Sequence, residues 1–400
     1  AMRWGYGHKL GPFELWDAIG FLEVVTRLEM ERRALPANIK DALAGGIIAL
    51  YRPPESLGRP TTEYFDFRSK SYQPIEPRPG ILTLRDRKRT HGVVFENAGA
   101  SLVDLGDGVL CVEFHSKLNT LGEDNVAMVY AGLEETNRNF DAMIVANEGE
   151  VFSAGANLML VLLAAQEGEW DDLNFAVQRF QQMNMALKYA AKPVVAAPFS
   201  RTLGGGCELV MHCTRAQASA ETYMGLVEVA VGVIPAGGGC KELLVRLHDP
   251  LRIFELIGYA KVATSAEEAK QLGLLHRSDP ISMNPERLIF DAKALALSLV
   301  PNYSPGAPRN DIKVAGESAY AMMKLGAWTA RQGHFISDYD MLVGEKLAHI
   351  LSGGRLSSEQ VVSEQYLLDL EREAFLSLCG HPKTQERMQY MLKTGKPLRN

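Results

Sequence analysis

The residues with the clearest chemical potential are GGGCE, Gly204 to Glu208, and Glu228, a second carboxylate twenty positions on in MGLVEVAVGVIPAGGG. Three glycines running into a predicted helix let backbone N–H groups approach a ligand closely, at the positive end of the helix dipole. Two carboxylates brought to one spot can act on a bound substrate as an acid/base pair. Upstream, VFSAGANL, Val151 to Leu158, offers a second loop of small residues whose amides can join the first. Together these segments predict an oxyanion hole beside two carboxylates, the chemistry of a polarised thioester. Each has a plainer explanation when taken singly: glycines permit tight packing, and a Glu commonly sits on a solvated helix face. Glu208, however, follows three glycines and precedes Leu209-Val210-Met211, which places it at a helix start.

The elements that must position these residues follow from periodicity. Residues 1–50 read as helical, with apolar residues at helical spacing in LWDAIGFLEVVTRLEMERR and IKDALAGGIIAL, punctuated by Pro36 and Pro53. Residues 51–92 are rich in Pro, Arg and Tyr and read as an irregular linker. From 93 to 300 short apolar runs (Leu110 to Phe114, Ala142 to Ala146, Val194 to Ala197) alternate with long helical periods. That alternation predicts an α/β unit with mostly parallel strands and helical crossovers. Residues 301–400 open with a second linker, NYSPGAPRN, and are then helical, with a helix over 364–378 stopped by Gly380 and Pro382 and another over 384–392.

Composition narrows the class. Four hundred residues suggest two or three domains, and 46% hydrophobic with 22% charged content fits a globular chain. A net charge of −6 argues against general nucleic-acid binding while permitting a local basic patch for a phosphorylated group. Cys111, Cys207, Cys213, Cys240 and Cys379 are scattered without a CxxC, which predicts a reduced, cytoplasmic setting. No apolar run reaches membrane-spanning length, and the first residues do not read as a signal peptide. No His/Cys cluster has metal-ligand spacing, and His212, Cys207 and Cys213 read as packing residues of the helix that carries Glu208.

The order SKLNTL (116–121), VFSAGANL, AKPVVAAPFSRTLGGGCEL and GLVEVAVGVIPAGGG resembles the enoyl-CoA hydratase/isomerase family, the crotonases, over residues 93–300. The resemblance implies an α/β crotonase (ClpP-like) spiral of ββα turns, flanked here by the helical N- and C-terminal regions. It implies that Ala156 and Gly205 supply the oxyanion-hole amides and that Glu208 and Glu228 are the paired carboxylates of hydratases. Coenzyme A, as part of the substrate, would run along the SAGANL loop, with contacts from Ala154 through Ala156, Asn157, Leu158 and Met159. Lys117 takes the place of a phosphate partner and reads equally well as an exposed solubilising lysine. Isomerases of the family often keep one carboxylate, so both being present favours hydration of a 2-trans-enoyl-CoA to a 3-hydroxyacyl-CoA. Isomerisation or another crotonase reaction, and a non-catalytic acyl-CoA-binding or assembly module, are the alternatives. The chain departs from the family pattern at Asn157 (SAGAD is usual), at Phe199-Ser200 (Asn-Gly is usual) and at Ala236 (Gly is common). These departures bear on substrate range more than on reaction type.

A second resemblance lies in AMRWGYGHKLGPFELWDAIGF, which is similar to the helical C-terminal domain of 3-hydroxyacyl-CoA dehydrogenases. No GxGxxG follows a strand, so no NAD site is expected in this chain. The two resemblances together imply the C-terminal part of a bifunctional fatty-acid-oxidation protein, with an acyl-CoA substrate and a thiolase partner subunit. The C-terminal helices then read either as a lid or docking element for acyl-CoA or as packing for the N-terminal helices.

Overall fold

The structure, a computed structural model, describes residues 2–6, 8, 10–52, 62–76 and 78–400. The chain forms two compact units, 1–79 and 80–400, each with its own core.

The first unit carries helices α1 (Met2–Tyr6), α2 (Pro12–Ile19), α3 (Phe21–Met30) and α4 (Ala37–Ala44). Pro12 sits in the first turn of α2, where its missing N–H has no intrahelical partner to lose. Gly7 and Lys9 of the GHKLGPFEL motif lie outside the described residues. The helical stretch expected over 15–33 breaks at Gly20, whose φ of +112° is a conformation that side-chain-bearing residues rarely adopt. Residues 51–92 differ from the irregular linker expected of them. They contain an antiparallel sheet of β1 (Tyr51–Arg52), β2 (Glu63–Asp66) and β3 (Ser71–Pro74), and beyond it a helix of the second unit. The reason is aromatic: Phe65 is buried among Phe21, Val25 and Ile39 and meets Tyr72 edge-on at 5.4 Å and Phe67 at 5.5 Å. Most of the YRPPESLGRP segment, residues 53–60, lies outside the described residues.

The second unit begins with α5 (Leu84–His91), capped by the Thr83 hydroxyl, which accepts the Asp86 N–H. Then come β4 (Phe95–Glu96), β5 (Ala100–Asp104), β6 (Val109–Phe114), α6 (Glu123–Asn139), β7 (Ala142–Ala146), α7 (Leu158–Glu167), α8 (Trp170–Lys188) and β8 (Val194–Ala196). The chain continues through β9 (Ser200–Leu203), α9 (Gly205–His212), β10 (Arg215–Ala216), β11 (Ala218–Ser219) and β12 (Thr222–Gly225). Six strands form one sheet in the order β10-β8-β7-β6-β5-β4, parallel from β10 to β6 and antiparallel beyond. Every residue of β6 and β7 is buried, as expected of parallel strands covered on both faces. Side chains alternate: Leu110, Val112, Met143 and Val145 enter the core beneath α6, while Val109, Cys111 and Ile144 meet Leu288, Ile289 and Ala292 on the other face.

The remainder comprises α10 (Gly239–Leu247), α11 (Pro250–Gly258), α12 (Ala266–Leu272), β13 (Ile281–Ser282), α13 (Leu288–Leu299), β14 (Ile312–Val314), α14 (Gly316–Gln332), α15 (Asp338–Leu351), β15 (Gln360–Val362), α16 (Glu364–Cys379) and α17 (Pro382–Thr394). Residues 301–400 share the core of the second unit: Leu347, Leu351, Leu367, Leu378 and Met388 pack into the cluster that holds Leu110, Met143 and Cys207. Helix α16 lies against α8, and α17 against α7.

Candidate active site

Three parallel segments explain why residues far apart in sequence meet. Strand β9 pairs with β12 in parallel register, Leu203 opposite Gly225, and the Gly204 N–H continues the ladder to the Gly225 carbonyl at 2.9 Å. On the other side of β9, Ser153 bridges Thr202, and the Leu203 N–H reaches the Ser153 carbonyl at 3.0 Å. All three segments run the same way, so their carboxyl ends deliver the SAGAN loop, the GGGCE turn and Glu228 to one place. Small side chains let them close: a methyl group on Gly206 would lie 2.6 Å from Ser153 Cβ, and one on Gly205 would lie 3.5 Å from the Ala156 nitrogen.

The backbone pairing leaves both loop amides unused. The Leu121 N–H donates to the Gly155 carbonyl (2.8 Å) and the Asn157 N–H to the Leu121 carbonyl (3.2 Å), a parallel bridge that turns the intervening Ala156 N–H away from Leu121. Gly205 opens α9, so its N–H has no carbonyl one turn back to bond. Among the described residues neither N–H has a hydrogen-bond partner. Ala154, Ala156 and Met159 are exposed, Asn157 and Leu158 partly so, and Asn157 caps α7 through its carbonyl. Lys117 is exposed on a tight turn (Lys117–Asn119) pinned beside this loop, because the Ala154 N–H donates to Leu118 O (3.1 Å) and Ser153 Oγ to Asn119 O (2.7 Å). Ser200, where the family pattern has glycine, adopts φ +47° all the same.

Glu208 is 2% exposed, and its Oε1 accepts the N–H groups of Gly237 and Gly239, both at 2.8 Å. No hydrogen bond from the described residues to Oε2 accompanies these two. Glu228 begins a single turn (Glu228–Val231) that ends in the left-handed Gly232. Its Oε1 lies 3.2 Å from where a methyl group on Gly204 would sit. Its Oε2 is buried and has no hydrogen-bond partner among the described residues. Thr384 of α17 holds this turn by donating its hydroxyl to the Gly232 carbonyl at 2.7 Å.

Burial, opposed by the Gly239 and Gly237 N–H groups and the Lys241 charge, lifts the Glu208 carboxyl from the ordinary 4.5 to about 7. Burial and then the charge of Glu208 hold Glu228 well above the carboxylate range. A third buried carboxyl, Glu371 of α16, is pushed to about 8 by burial and then by Glu208. His212 goes the other way: burial and the Lys241 ammonium lower it to about 3. It is therefore neutral, donating from Nδ1 to Glu208 O (2.6 Å) and accepting at Nε2 from Lys241 Nζ (2.9 Å). This fits its reading as a structural residue. Sequence inspection missed Glu371, although one signal pointed to it: it interrupts the apolar stripe of Leu367, Leu368, Phe375 and Leu378 on α16.

The pattern of residues 104–290 matches that of the enoyl-CoA hydratase/isomerase family. Residues 104–290 belong to that family. A Bacillus subtilis protein named probable 3-hydroxyacyl-CoA dehydrogenase is 44% identical over 408 aligned positions, covering 100% of this chain and 51% of that protein. A probable enoyl-CoA hydratase from the same bacterium is 33% identical over 162 residues, 40% of this chain and 60% of that protein. The crystal structure of an enoyl-CoA hydratase from Bacillus halodurans superimposes with a TM-score of 0.52 at 17% identity, over 73% of this chain and 99% of that one, and so shares its fold. The chain spans about half the length of the curated relatives it matches along nearly its whole extent. No described helix is long and apolar enough to cross a membrane. Among the described residues no group of His, Cys, Asp and Glu is placed to hold a metal ion.

These ionisations set a pH dependence of folding. A carboxyl whose pKa is higher in the folded chain keeps a proton that the unfolded chain has released. The contributions of Glu208 and Glu371 are therefore whole below 4.5 and drain away as pH rises through about 7 and about 8. His212 acts at the other end, losing stability as pH falls from 6.5 towards about 3. Thermal melts between about pH 5 and about pH 9 should show a declining Tm, and a shallower decline for the Glu208→Gln/Glu371→Gln double variant. Parallel curves for the two proteins would remove the buried carboxyls as the cause.

Proposed function

We propose that this chain is a 2-trans-enoyl-CoA hydratase, adding water across the conjugated double bond to give a 3-hydroxyacyl-CoA. The observation that carries the reading is the meeting of two unpartnered amides with two buried carboxyls whose proton affinities are raised to different degrees. The amides of Ala156 and Gly205 donate to the thioester oxygen and stabilise the negative charge that builds there as water adds. Carboxyls with separated pKa values divide the acid and base roles. Glu208, near neutrality, takes a proton from water through Oε2 while the hydroxyl bonds to the β-carbon. Glu228, which keeps its proton, delivers it to the α-carbon from the oxygen that has no protein partner. Water is consumed, the C=C bond becomes C–C, and one proton passes from Glu228 to substrate as another arrives at Glu208. Coenzyme A would lie along residues 154–159, with Lys117 at hand for a phosphate.

The test is the absorbance of crotonyl-CoA, whose conjugated signal should disappear on turnover. Tight binding without turnover would instead favour a binding module, and a shifted double bond an isomerase. The relative named probable 3-hydroxyacyl-CoA dehydrogenase supports a wider reading, in which this chain is the hydratase part of a bifunctional fatty-acid-oxidation protein; a cytoplasmic setting and a thiolase partner are further parts of that proposal. Because no dinucleotide fingerprint follows a strand, the chain alone should not reduce NAD with 3-hydroxybutyryl-CoA. Sustained NADH formation by the purified chain would overturn that division of labour.

A further inference from the structure

Helix α16 reaches the acid/base centre with a carboxylate of its own. Glu371, fully buried, accepts the Gly238 N–H at Oε2 and the Lys241 N–H at Oε1, both at 2.7 Å. Glu208 accepts the alternate amides, those of Gly237 and Gly239. The two carboxyls thus interlock on one run of backbone, the turn that opens α10. The carbonyl side of that turn is tied down as well. Gln181 Nε2 donates to both Ala236 O and Leu368 O at 2.8 Å, Asn184 Nδ2 donates to Gly237 O at 2.8 Å, and Arg372 of α16 fixes the other end of the Gln181 amide.

An ion pair does not account for Glu371. The nearest ammonium, Lys241 Nζ, is bonded to His212 Nε2 (2.9 Å), Glu242 Oε2 (3.0 Å) and Glu364 Oε1 (3.2 Å). Burying a carboxyl against amides alone, beside another carboxyl, is unfavourable compared with an apolar residue that would pack the same helix. The arrangement makes sense if the amides are what must be held. A free turn at residues 236–239 would let Glu208 Oε1 swing, and with it the whole carboxyl that the proposed reaction uses.

We infer that Glu371 is a positioning residue of the hydration reaction: it locks the 236–241 turn and thereby aims Glu208, making the C-terminal helices part of the active centre. The inference rests on the proposed hydratase reading and adds to it a residue outside the matched 104–290 segment.

The full chain and its Glu371→Gln and Glu371→Asp variants would be compared by crotonyl-CoA hydration and by hydrogen–deuterium exchange of the 236–241 amides. With Glu371→Gln, kcat should fall about tenfold to a hundredfold, the scale seen for outer partners of reactive groups, while KM changes by less than about twofold. Exchange at residues 237–241 should quicken while the middle of α16 stays protected. Glu371→Asp, which keeps the acceptor oxygens one methylene short, should recover part of the kcat. A folded Glu371→Gln variant with kcat within about twofold of the parent, or with unchanged exchange in the turn, would overturn the inference. If Glu371→Gln does not fold, Glu371→Asp is read by the same two criteria. If the parent chain hydrates no enoyl-CoA, the functional reading fails on its own account, and amide exchange alone decides whether Glu371 locks the turn.

Discussion

Replacing either Glu208 or Glu228 by glutamine should slow crotonyl-CoA hydration by at least about a hundredfold, the usual loss when a positioned general acid or base is removed. The substitutions isolate proton transfer from architecture. In Glu208→Gln the amide oxygen can still accept the Gly237 and Gly239 N–H groups that Oε1 now holds, so the turn keeps its anchor. The other end becomes an NH2 group, which cannot take a proton from water. In Glu228→Gln the buried Oε2 position loses the proton that the α-carbon requires. Acyl-CoA binding should change little, because the amides of Ala156 and Gly205 are untouched. Above about pH 7 neither variant should be less stable than the parent, since a neutral amide replaces a carboxyl that burial disfavours as an anion. The double variant should be little worse than the poorer single one, because both groups serve one transition state. Near-native kcat in either single variant would remove that residue from the mechanism, and weakened acyl-CoA binding would assign it to the pocket instead.

What could be read from sequence, and what could not, follows the range of the interactions involved. Strands β6, β7 and β8 lie within one residue of the apolar runs that predict them, because parallel strands covered on both faces are written as continuous hydrophobic stretches. The glycine turn and the two glutamates were visible because GGGCE and SAGAN are local patterns. That they converge depends on the parallel pairing of β9 with β12 and with the Ser153 segment, which sequence suggests only through the family resemblance. Composition misled at 51–92, where Pro and Arg masked an aromatic contact between Phe65 and Tyr72 that makes a sheet. Glu371 shows in the sequence only as a break in an apolar stripe, and its role does not show at all. Its partner Gly238 is 133 positions away, and a glutamate within an amphipathic helix carries no local mark of which backbone amides it will bond. The same holds for Thr384, which steadies the Glu228 turn from 152 positions away. Long-range polar contacts of this kind leave at most a polar residue out of place on an apolar stripe.

The proposed oxyanion hole can be tested without touching either amide, through the glycine of the SAGAN loop that abuts the GGGCE turn. Gly155 has φ +95°, and a methyl group there would lie 3.0 Å from the Leu203 carbonyl oxygen and 3.3 Å from the Gly205 nitrogen. Both obstacles are backbone atoms of the neighbouring segment, so they cannot rotate aside as a side chain would. Gly155→Val adds a β-branched residue in a conformation such residues avoid, and the SAGAN loop must either change φ or move away from β9. Either adjustment moves the Ala156 N–H, which is adjacent in the chain, away from the position that the proposed oxyanion hole requires of it. Loss of one aligned donor costs roughly 3 kcal/mol of transition-state stabilisation, so kcat should fall by about a hundredfold to a thousandfold. KM should rise far less, because the ground-state carbonyl carries less charge than the developing oxyanion. Gly258→Ala is the control: it has negative φ and nothing within 4 Å of the added methyl, and it should leave kcat unchanged. The melting temperature of Gly155→Val will drop with the strain, so the comparison is made well below it, with far-ultraviolet circular dichroism showing an intact fold. If the folded variant hydrates crotonyl-CoA at the parental rate, the paired amides of Ala156 and Gly205 are not the group that stabilises the transition state.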